Sequence, residues 1–190
     1  MPEILGDLFT GKLIRLAAKQ ADDNKLIAAW SNDAEYLRLL DDDPARPQAV
    51  SSLDKEDKDH KDNGRNFEFI FHTVADDRVI GFGGFWCDWN HQVGWIGIGI
   101  GDPDYRSKGY GTDAMRLLVA YGFRELGLHR VQLGVLSNNA RAIRCYEKVG
   151  FIREVVKRAE VFRDGQRRDV YYMGLLRAEW AAARERELAG

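Results

Sequence analysis

The sequence predicts a mixed α/β domain built around one sheet. Three strand-like runs, at 66–74, 78–89 and 93–101, are separated by turns of three residues, which are short enough for hairpins between antiparallel neighbours. Beyond residue 110 the apolar spacing becomes helical on both sides of a further strand. A chain of 190 residues, 45% of them hydrophobic, can bury the core that such a domain needs.

The first third of the chain predicts a strand, a helix and an acidic segment. Apolar and polar positions alternate over residues 11–18, and residues 19–33 follow with helical spacing. Residues 41–64 then hold eight acidic and four basic side chains, and within them residues 51–60 favour a short exposed helix. No linker or internal repeat divides the sequence, so we expect all 190 residues to form one domain.

The rest of the chain predicts helices that alternate with strands, and then a hairpin. Asn139 has the position of a helix N-cap, and Gly150 that of a helix stop. Asp164 and Gly165 form a turn dipeptide that is typical of a β-hairpin. The expected elements are a helix at 111–127, a strand at 129–136, a helix at 139–150, strands at 155–162 and 167–176, and a frayed, charged helical tail at 178–190.

Composition limits the classes of partner. The formal net charge is −2, which gives no general attraction to nucleic acid or to an anionic membrane. No apolar run approaches the roughly 20 residues that span a bilayer, and the N-terminus lacks the pattern of a signal peptide. Cys87 and Cys145 have no partner at metal-ligand spacing, so we expect reduced thiols, no bound metal and a cytoplasmic location.

A glycine-rich segment, RSKGYGT at residues 106–112, lies between the third central strand and a helix. This position is typical of a phosphate site, and a plain turn before a helix is the structural alternative. A P-loop needs its lysine after the glycines, but Lys108 precedes them. Gly109, Gly111 and Ala114 match the dinucleotide-binding pattern, but these glycines do not follow the strand at once, and the next strand ends without an acid.

Arg106, Gly109 and Gly111 fit R-x-x-G-x-G, the pyrophosphate loop of acetyl-CoA-dependent N-acetyltransferases. In such a loop, backbone N–H groups surround an anion at a helix N-terminus, and glycine lets the backbone approach closely. A second segment, NARAIRCYEKVGF at 139–151, follows at the distance typical of that family. The chain therefore resembles the GNAT superfamily over nearly its whole length, and most closely the group of ribosomal-protein alanine and spermidine acetyltransferases.

The resemblance implies a fold and a donor site. The sheet is expected to be mixed, mostly antiparallel, splayed between its fourth and fifth strands and flanked by helices. Pantetheine would bind beside the fourth strand, where Gly97, Gly99 and Gly101 leave room for a ligand, unless these glycines mark a bulge or tight packing. The residues that the resemblance assigns to acetyl-CoA are Ile98, Gly99, Ile100, Arg106, Ser107, Lys108, Gly109, Tyr110, Gly111, Thr112 and Asn139.

Tyr146 matches the family's general acid, which donates a proton or a hydrogen bond to the departing CoA sulfur. Its helical spacing from Ile143 is also that of a core residue. Asn139 matches a family residue that contacts pantetheine, and an N-cap needs the same residue type without a ligand. Cys145 points about 100° away from Tyr146 around the helix, so we do not expect it to be a nucleophile.

The sequence departs from the family pattern at the general base. Many relatives carry a glutamate early in the fourth strand that takes the amine proton, and this chain has Trp95 there, or Ile96 if the alignment shifts by one. Neither side chain can accept a proton. The groups that could substitute are Asp88, Asp102, Glu68 and His91, each of which also suits an ordinary turn or strand edge.

A missing base would favour acceptors that lose a proton easily. Deprotonating a lysine-like amine of pKa about 10.4 at pH 7 costs roughly 4.6 kcal/mol, against about 1.4 kcal/mol for an α-amino group of pKa near 8. This difference supports a hypothesis of preference for peptide N-termini. The acidic segment 41–64 favours the opposite, because it would concentrate a polyamine or an aminoglycoside, and Phe85, Trp86 and Trp89 could line the acceptor site.

The sequence therefore predicts an acetyl-CoA-dependent N-acetyltransferase that transfers the acetyl group directly to a primary amine of a peptide or small molecule. A non-catalytic acyl-CoA-binding module is the first alternative, supported by Trp95, and a structural protein is the second. Relatives are often dimers, so a homodimer is compatible with the resemblance.

Overall fold

The structure is a computed structural model, and it describes residues 7–59 and 64–189. One sheet carries helices on both faces. The strands are β1 (Ile14–Ala17), β2 (Asn66–Thr73), β3 (Val79–Asp88), β4 (Val93–Ile100), β5 (Arg130–Leu136), β6 (Ile152–Arg163) and β7 (Gln166–Leu176). The helices are α1 (Asp23–Trp30), α2 (Ala34–Leu40), α3 (Val50–Asp59), α4 (Tyr110–Arg124), α5 (Ala140–Val149) and α6 (Arg177–Ala189), with a short 3₁₀ helix at Pro103–Tyr105.

The seven strands lie in the order β1-β2-β3-β4-β5-β7-β6. Strands β1 to β4 are antiparallel neighbours in chain order. The short turns predicted this for β2, β3 and β4, whereas no short turn indicated the pairing of β1 with β2. The hairpin of β6 and β7 turns at Asp164 and Gly165, which both have positive φ values, so the prediction of this turn is confirmed.

The only parallel pair in the described sheet is β4 with β5, and it is short. Pairing covers residues 93–95 of β4 and 130–132 of β5 and then ends. From Ile96 onward β4 keeps its partner β3 on one edge and has no strand partner on the other. The predicted splay between the fourth and fifth strands is therefore confirmed, and it leaves backbone N–H and C=O groups of β4 open to a ligand.

Helix α4 forms the core with one face of the sheet. Met115, Leu118, Val119 and Phe123 are fully buried in one cluster with strand residues. The helix is tied to β1 by Asp113 in its first turn, whose carboxylate accepts the N–H groups of Leu13 (2.7 Å) and Ile14 (3.0 Å). This bond fixes the start of α4 and therefore the loop that precedes it.

Two elements differ from the sequence prediction. A separate helix, α2, follows α1, because Asp33 caps its first turn by accepting the N–H of Tyr36 at 3.0 Å. The predicted frayed tail is instead the regular helix α6, which is anchored where Trp180 packs on Phe123 with ring centroids 5.3 Å apart. A local cap explains the separate helix α2, and one long-range aromatic contact explains the ordered helix α6. Neither feature produces a strong hydrophobic period in the sequence.

The acidic segment is described in part. Its helix α3 covers most of the predicted helix at 51–60, while residues 60–63 lie outside the described ranges. No helix in the described ranges is long and apolar enough to cross a membrane.

Candidate active site

A cleft of about 520 Å³ opens where β4 and β5 part. Helix α2 and the turn after it line one side, and α5 lines another. Of the twelve residues assigned from the sequence, two do not line it: Lys108 is exposed, and Tyr110 packs on Tyr105 with centroids 5.0 Å apart. Those that do line it are Ile98, Gly99, Ile100, Arg106, Ser107, Gly109, Gly111, Thr112, Asn139 and Tyr146.

The loop before α4 presents a run of unpaired backbone donors. Ser107 and Gly109 have φ values of 62° and 94°, so the chain turns through left-handed conformations, and Gly109 takes its own at little cost. The first helical bond of α4 runs from the N–H of Asp113 to the carbonyl of Gly109 at 3.0 Å. Within the described structure, the N–H groups of residues 107–112 donate to no protein acceptor. Such a nest at a helix N-terminus fits an anion of the size of a pyrophosphate.

Arg106 lines the cleft, but its guanidinium binds the protein. It donates to the carbonyl oxygens of Ile100 (3.0 Å) and Gly101 (2.6 Å) and to the Asp33 carboxylate (2.7 Å). It also lies over the ring of Tyr36, 4.7 Å from the centroid. Arg106 therefore joins the end of β4 to the start of α2 and holds the pyrophosphate-type loop in place. The sequence expectation that this side chain supplies countercharge to a phosphate does not match these contacts.

The three alternating glycines at 97, 99 and 101, the last of which directly follows β4, serve different purposes. A Cβ at Gly101 would overlap the Trp30 ring, and a Cβ at Gly99 would overlap the Tyr36 hydroxyl. At Gly97 a Cβ would meet nothing within 4 Å. The prediction that all three leave room for a ligand is therefore wrong for Gly99 and Gly101, which make room for α1 and α2. Only Gly97 of the three faces open space.

Tyr146 is buried beside the cleft, with its ring against Phe151. Its hydroxyl has no hydrogen-bond partner among the described residues. Burial raises the pKa of this phenol above its ordinary value, so the group keeps its proton at neutral pH. Its neighbour Cys145 also lines the cleft, where burial raises the pKa of the thiol. A protonated thiol is a weak nucleophile, and this agrees with the expectation for Cys145.

Asn139 uses its side-chain amide within the protein. The oxygen caps α5 by accepting the N–H of Ala142 at 3.1 Å, and the nitrogen donates to the carbonyl of Leu39 at 3.1 Å. Asn139 therefore ties the last turn of α2 to the first turn of α5 across the cleft. The sequence signalled the cap, but the bond to α2 spans 100 positions and gives no local pattern.

No carboxylate occupies the position of the family's usual base. Trp95 packs edge-on against Tyr172, with centroids 5.7 Å apart, and Ile96 is buried in the core. None of the substitutes considered from the sequence lines the cleft; Asp102, for example, pairs with Arg78 at 2.9 Å. These substitutes are Asp88, Asp102, Glu68 and His91.

The described carboxylates that line the cleft are Asp41 and Asp42, in the turn after α2. Arg163 of β6 holds this turn by donating to the carbonyl oxygens of Asp41 (3.0 Å) and Asp43 (2.7 Å). Asp41 is exposed on one side, but its partial burial raises the pKa of its carboxyl above the ordinary value. The hydrogen bond from the N–H of Asp43 lowers this pKa, and the negative charges of Asp43 and Asp42 raise it. The sequence signalled an acidic segment here but no individual residue.

Charges of opposite sign are separated along the cleft wall. The side that α5 forms carries the cations, which are Arg141, Arg144 and Lys148. The turn after α2 carries Asp41 and Asp42. Within the described ranges, no group of three or more His, Cys, Asp or Glu side chains could hold a metal ion.

A comparison with known protein families agrees with these features and covers most of the chain. Residues 13–152 match the acetyltransferase (GNAT) domain. The chain belongs to the GNAT family of acetyltransferases. It is therefore an acyltransferase that transfers an acetyl group from acetyl-CoA to an amine, and this decides against the non-catalytic and structural alternatives.

Individual relatives of this GNAT protein agree in fold and class. The "Probable N-acetyltransferase YjcK" of Bacillus subtilis is 32% identical over 165 residues, which are 85% of this chain and 91% of the relative. The spermidine N(1)-acetyltransferase of Escherichia coli K12 is 36% identical over 80 residues, 42% of this chain and 43% of the relative. The crystal structure of the Vibrio cholerae spermidine N-acetyltransferase with CoA and spermine has a TM-score of 0.81 at 23% identity, covering 88% of this chain and 98% of that one.

Proposed function

We propose that the acceptor is a primary amine of a polycationic small molecule of the polyamine class. The observation that carries this proposal is the pair Asp41 and Asp42, whose carboxylates line the cleft and give this part of its wall a negative charge that attracts cations. The named spermidine acetyltransferases among the relatives support the same class. Because neither Trp95 nor Ile96 can accept a proton, Asp41 is the proposed proton acceptor, directly or through water.

The proposed acetyl-CoA site uses the backbone N–H groups and the positive side chains on the other side of the cleft. The N–H groups of residues 107–112 would hold the pyrophosphate of acetyl-CoA, and Arg141, Arg144 and Lys148 would balance its remaining phosphate charge. The unpaired edge of β4, over residues 96–100, would bind the pantetheine arm by strand-like hydrogen bonds. Acetyl-CoA supplies the activated acetyl group.

In the proposed reaction the acceptor amine attacks the thioester carbonyl directly. A C–N bond forms and the C–S bond breaks, so negative charge develops on the sulfur. Tyr146 donates its phenolic proton to that sulfur, which its protonated state at neutral pH allows. Asp41 takes the proton that the amine loses. Because Cys145 stays a thiol, we assign no acyl-enzyme.

The acceptor class is tested by thiol release from acetyl-CoA with spermidine, an aminoglycoside and a peptide with a free N-terminus. We expect the highest kcat/KM with spermidine. Asp41→Asn should raise the spermidine KM at least about tenfold, because it removes a charge that faces the cleft where the cation would bind. It should also lower kcat, because it removes the proposed proton acceptor. The affinity for acetyl-CoA should stay the same.

The matched control is Glu35→Gln, which makes the same charge change at an exposed position of α2, outside the cleft lining. It should leave the spermidine KM within about twofold, as expected for an exposed charge. Faster turnover of the peptide than of spermidine would instead support the preference for amines of low pKa and would reject the polyamine proposal.

We also propose a homodimer that forms through β6. This strand lies at the edge of the sheet and exposes apolar side chains, among them Val156 and, with 61% of its surface exposed, Phe162. Light scattering should give twice the chain mass, and Val156→Glu should return it to one chain mass. Leu26→Glu, at an exposed apolar position on α1, is the control and should stay dimeric. A single chain mass for the unmodified protein would contradict the proposal.

The location that we propose is the cytoplasm. Cys87 and Cys145 are both free, which suits a reducing compartment. Acetyl-CoA and small amines would both be available there.

A further inference from the structure

Tyr36 in α2 has a buried hydroxyl group without a partner. The residue is 5% exposed, and its hydroxyl oxygen makes no hydrogen bond to any described residue. Burial of an unsatisfied hydroxyl is unfavourable, because the group has lost its bonds to water and gained none. Tyr36 nevertheless lines the cleft, so a ligand that enters the cleft could supply the missing partner.

The hydroxyl lies against β4 at one position. A Cβ at Gly99 would overlap the Tyr36 oxygen, so the two are in direct contact and glycine is required there. Gly99 is also in the stretch of β4 that has no strand partner on its outer edge. The unpaired hydroxyl therefore lies beside the stretch of β4 whose outer edge is unpaired, and Tyr36 and Gly99 both line the cleft.

Two contacts hold the Tyr36 ring in this position before any ligand binds. Arg106 lies over the ring at 4.7 Å, and Asp33 accepts the Tyr36 backbone N–H at 3.0 Å. Asp33 and Arg106 are themselves paired at 2.7 Å. Burial raises the pKa of the phenol, so the hydroxyl keeps its proton and can donate it in a hydrogen bond.

We propose that Tyr36 is a donor-binding residue, whose hydroxyl forms a hydrogen bond with a polar group of the pantetheine arm beside Gly99. This inference rests on the proposed placement of the arm along β4. Pantetheine carries amide carbonyl groups, which accept such a bond. The hydroxyl is unpaired in the free protein, so the proposed hydrogen bond exists only in the complex. It therefore adds to the free energy of binding and not to the stability of the free protein.

The test is Tyr36→Phe, which removes the hydroxyl and keeps the ring under Arg106. Calorimetric titration should show that Kd rises about three- to tenfold for acetyl-CoA and equally for CoA, the loss of one neutral hydrogen bond. The melting temperature of the free protein should stay the same or rise, because an unsatisfied buried group has been removed. A tyrosine with a purely structural role would lower it.

The matched control is Tyr121→Phe in α4, which does not line the cleft and should bind both ligands as the unmodified protein does. An unchanged Kd in Tyr36→Phe would overturn the inference, and so would a loss confined to acetyl-CoA, which would place the hydroxyl at the acetyl group. A change in the acceptor KM alone would also overturn it. Failure of the unmodified protein to bind CoA would instead reject the donor site as a whole.

Discussion

Replacing Tyr146 by Phe is expected to lower kcat about 100-fold, which is typical for the loss of a general acid. The phenol lines the cleft and is the one hydroxyl group that α5 carries, so no other side chain of this helix can take its place. The Kd for acetyl-CoA should change by less than about twofold, since the proton is needed only as the C–S bond breaks. Steady-state thiol release and calorimetric titration measure the two quantities.

The pH dependence of the unmodified enzyme gives a second check on Tyr146. Burial raises the pKa of the phenol, so the protonated form persists to a higher pH than for an exposed tyrosine. The rate should therefore rise as the amine and Asp41 lose protons and should show no alkaline fall below about pH 10. Tyr171→Phe, at a tyrosine outside the cleft lining, should keep kcat. Equal rates for Tyr146→Phe and the unmodified enzyme would reject Tyr146 as the acid.

Gly109→Ala is expected to weaken acetyl-CoA binding at least about tenfold. Gly109 has φ = 94°, a value at which an alanine is strained by about 1–2 kcal/mol. Relief of that strain would turn the N–H groups of residues 107–112 away from one another, and the anion site depends on their common direction. Titration with acetyl-CoA measures the loss of affinity, and thermal unfolding measures the strain.

Gly127→Ala separates the loss of affinity from the loss of stability. Gly127 also has a positive φ, 65°, and a Cβ there would meet nothing within 4 Å. Both variants should therefore unfold at a lower temperature, by similar amounts, because both force alanine into a left-handed conformation. Only Gly109→Ala should bind acetyl-CoA poorly. A similar Kd for the two variants would show that the loop does not bind the pyrophosphate.

Much of the fold follows from local patterns. The hairpin turns, the strands that follow them and the apolar face of α4 are set by periods of two and 3.6 residues, which are visible in a few consecutive positions. The glycine loop is equally local, because its free N–H groups belong to consecutive residues at the start of one helix. The family resemblance added the splay of the sheet, which no period in the sequence encodes.

The fold class, the glycine-rich loop before α4 and the place of Tyr146 in a helix that ends at a glycine all follow from the amino-acid sequence. Tertiary structure alone decided the direction of the Arg106 guanidinium, which meets Asp33 from 73 positions away. It also decided that Gly99 accommodates Tyr36 and that Asp41 faces the cleft. The reason is physical: a side chain's partners depend on which elements pack together, whereas backbone hydrogen bonding and amphipathic period depend on neighbours in the chain.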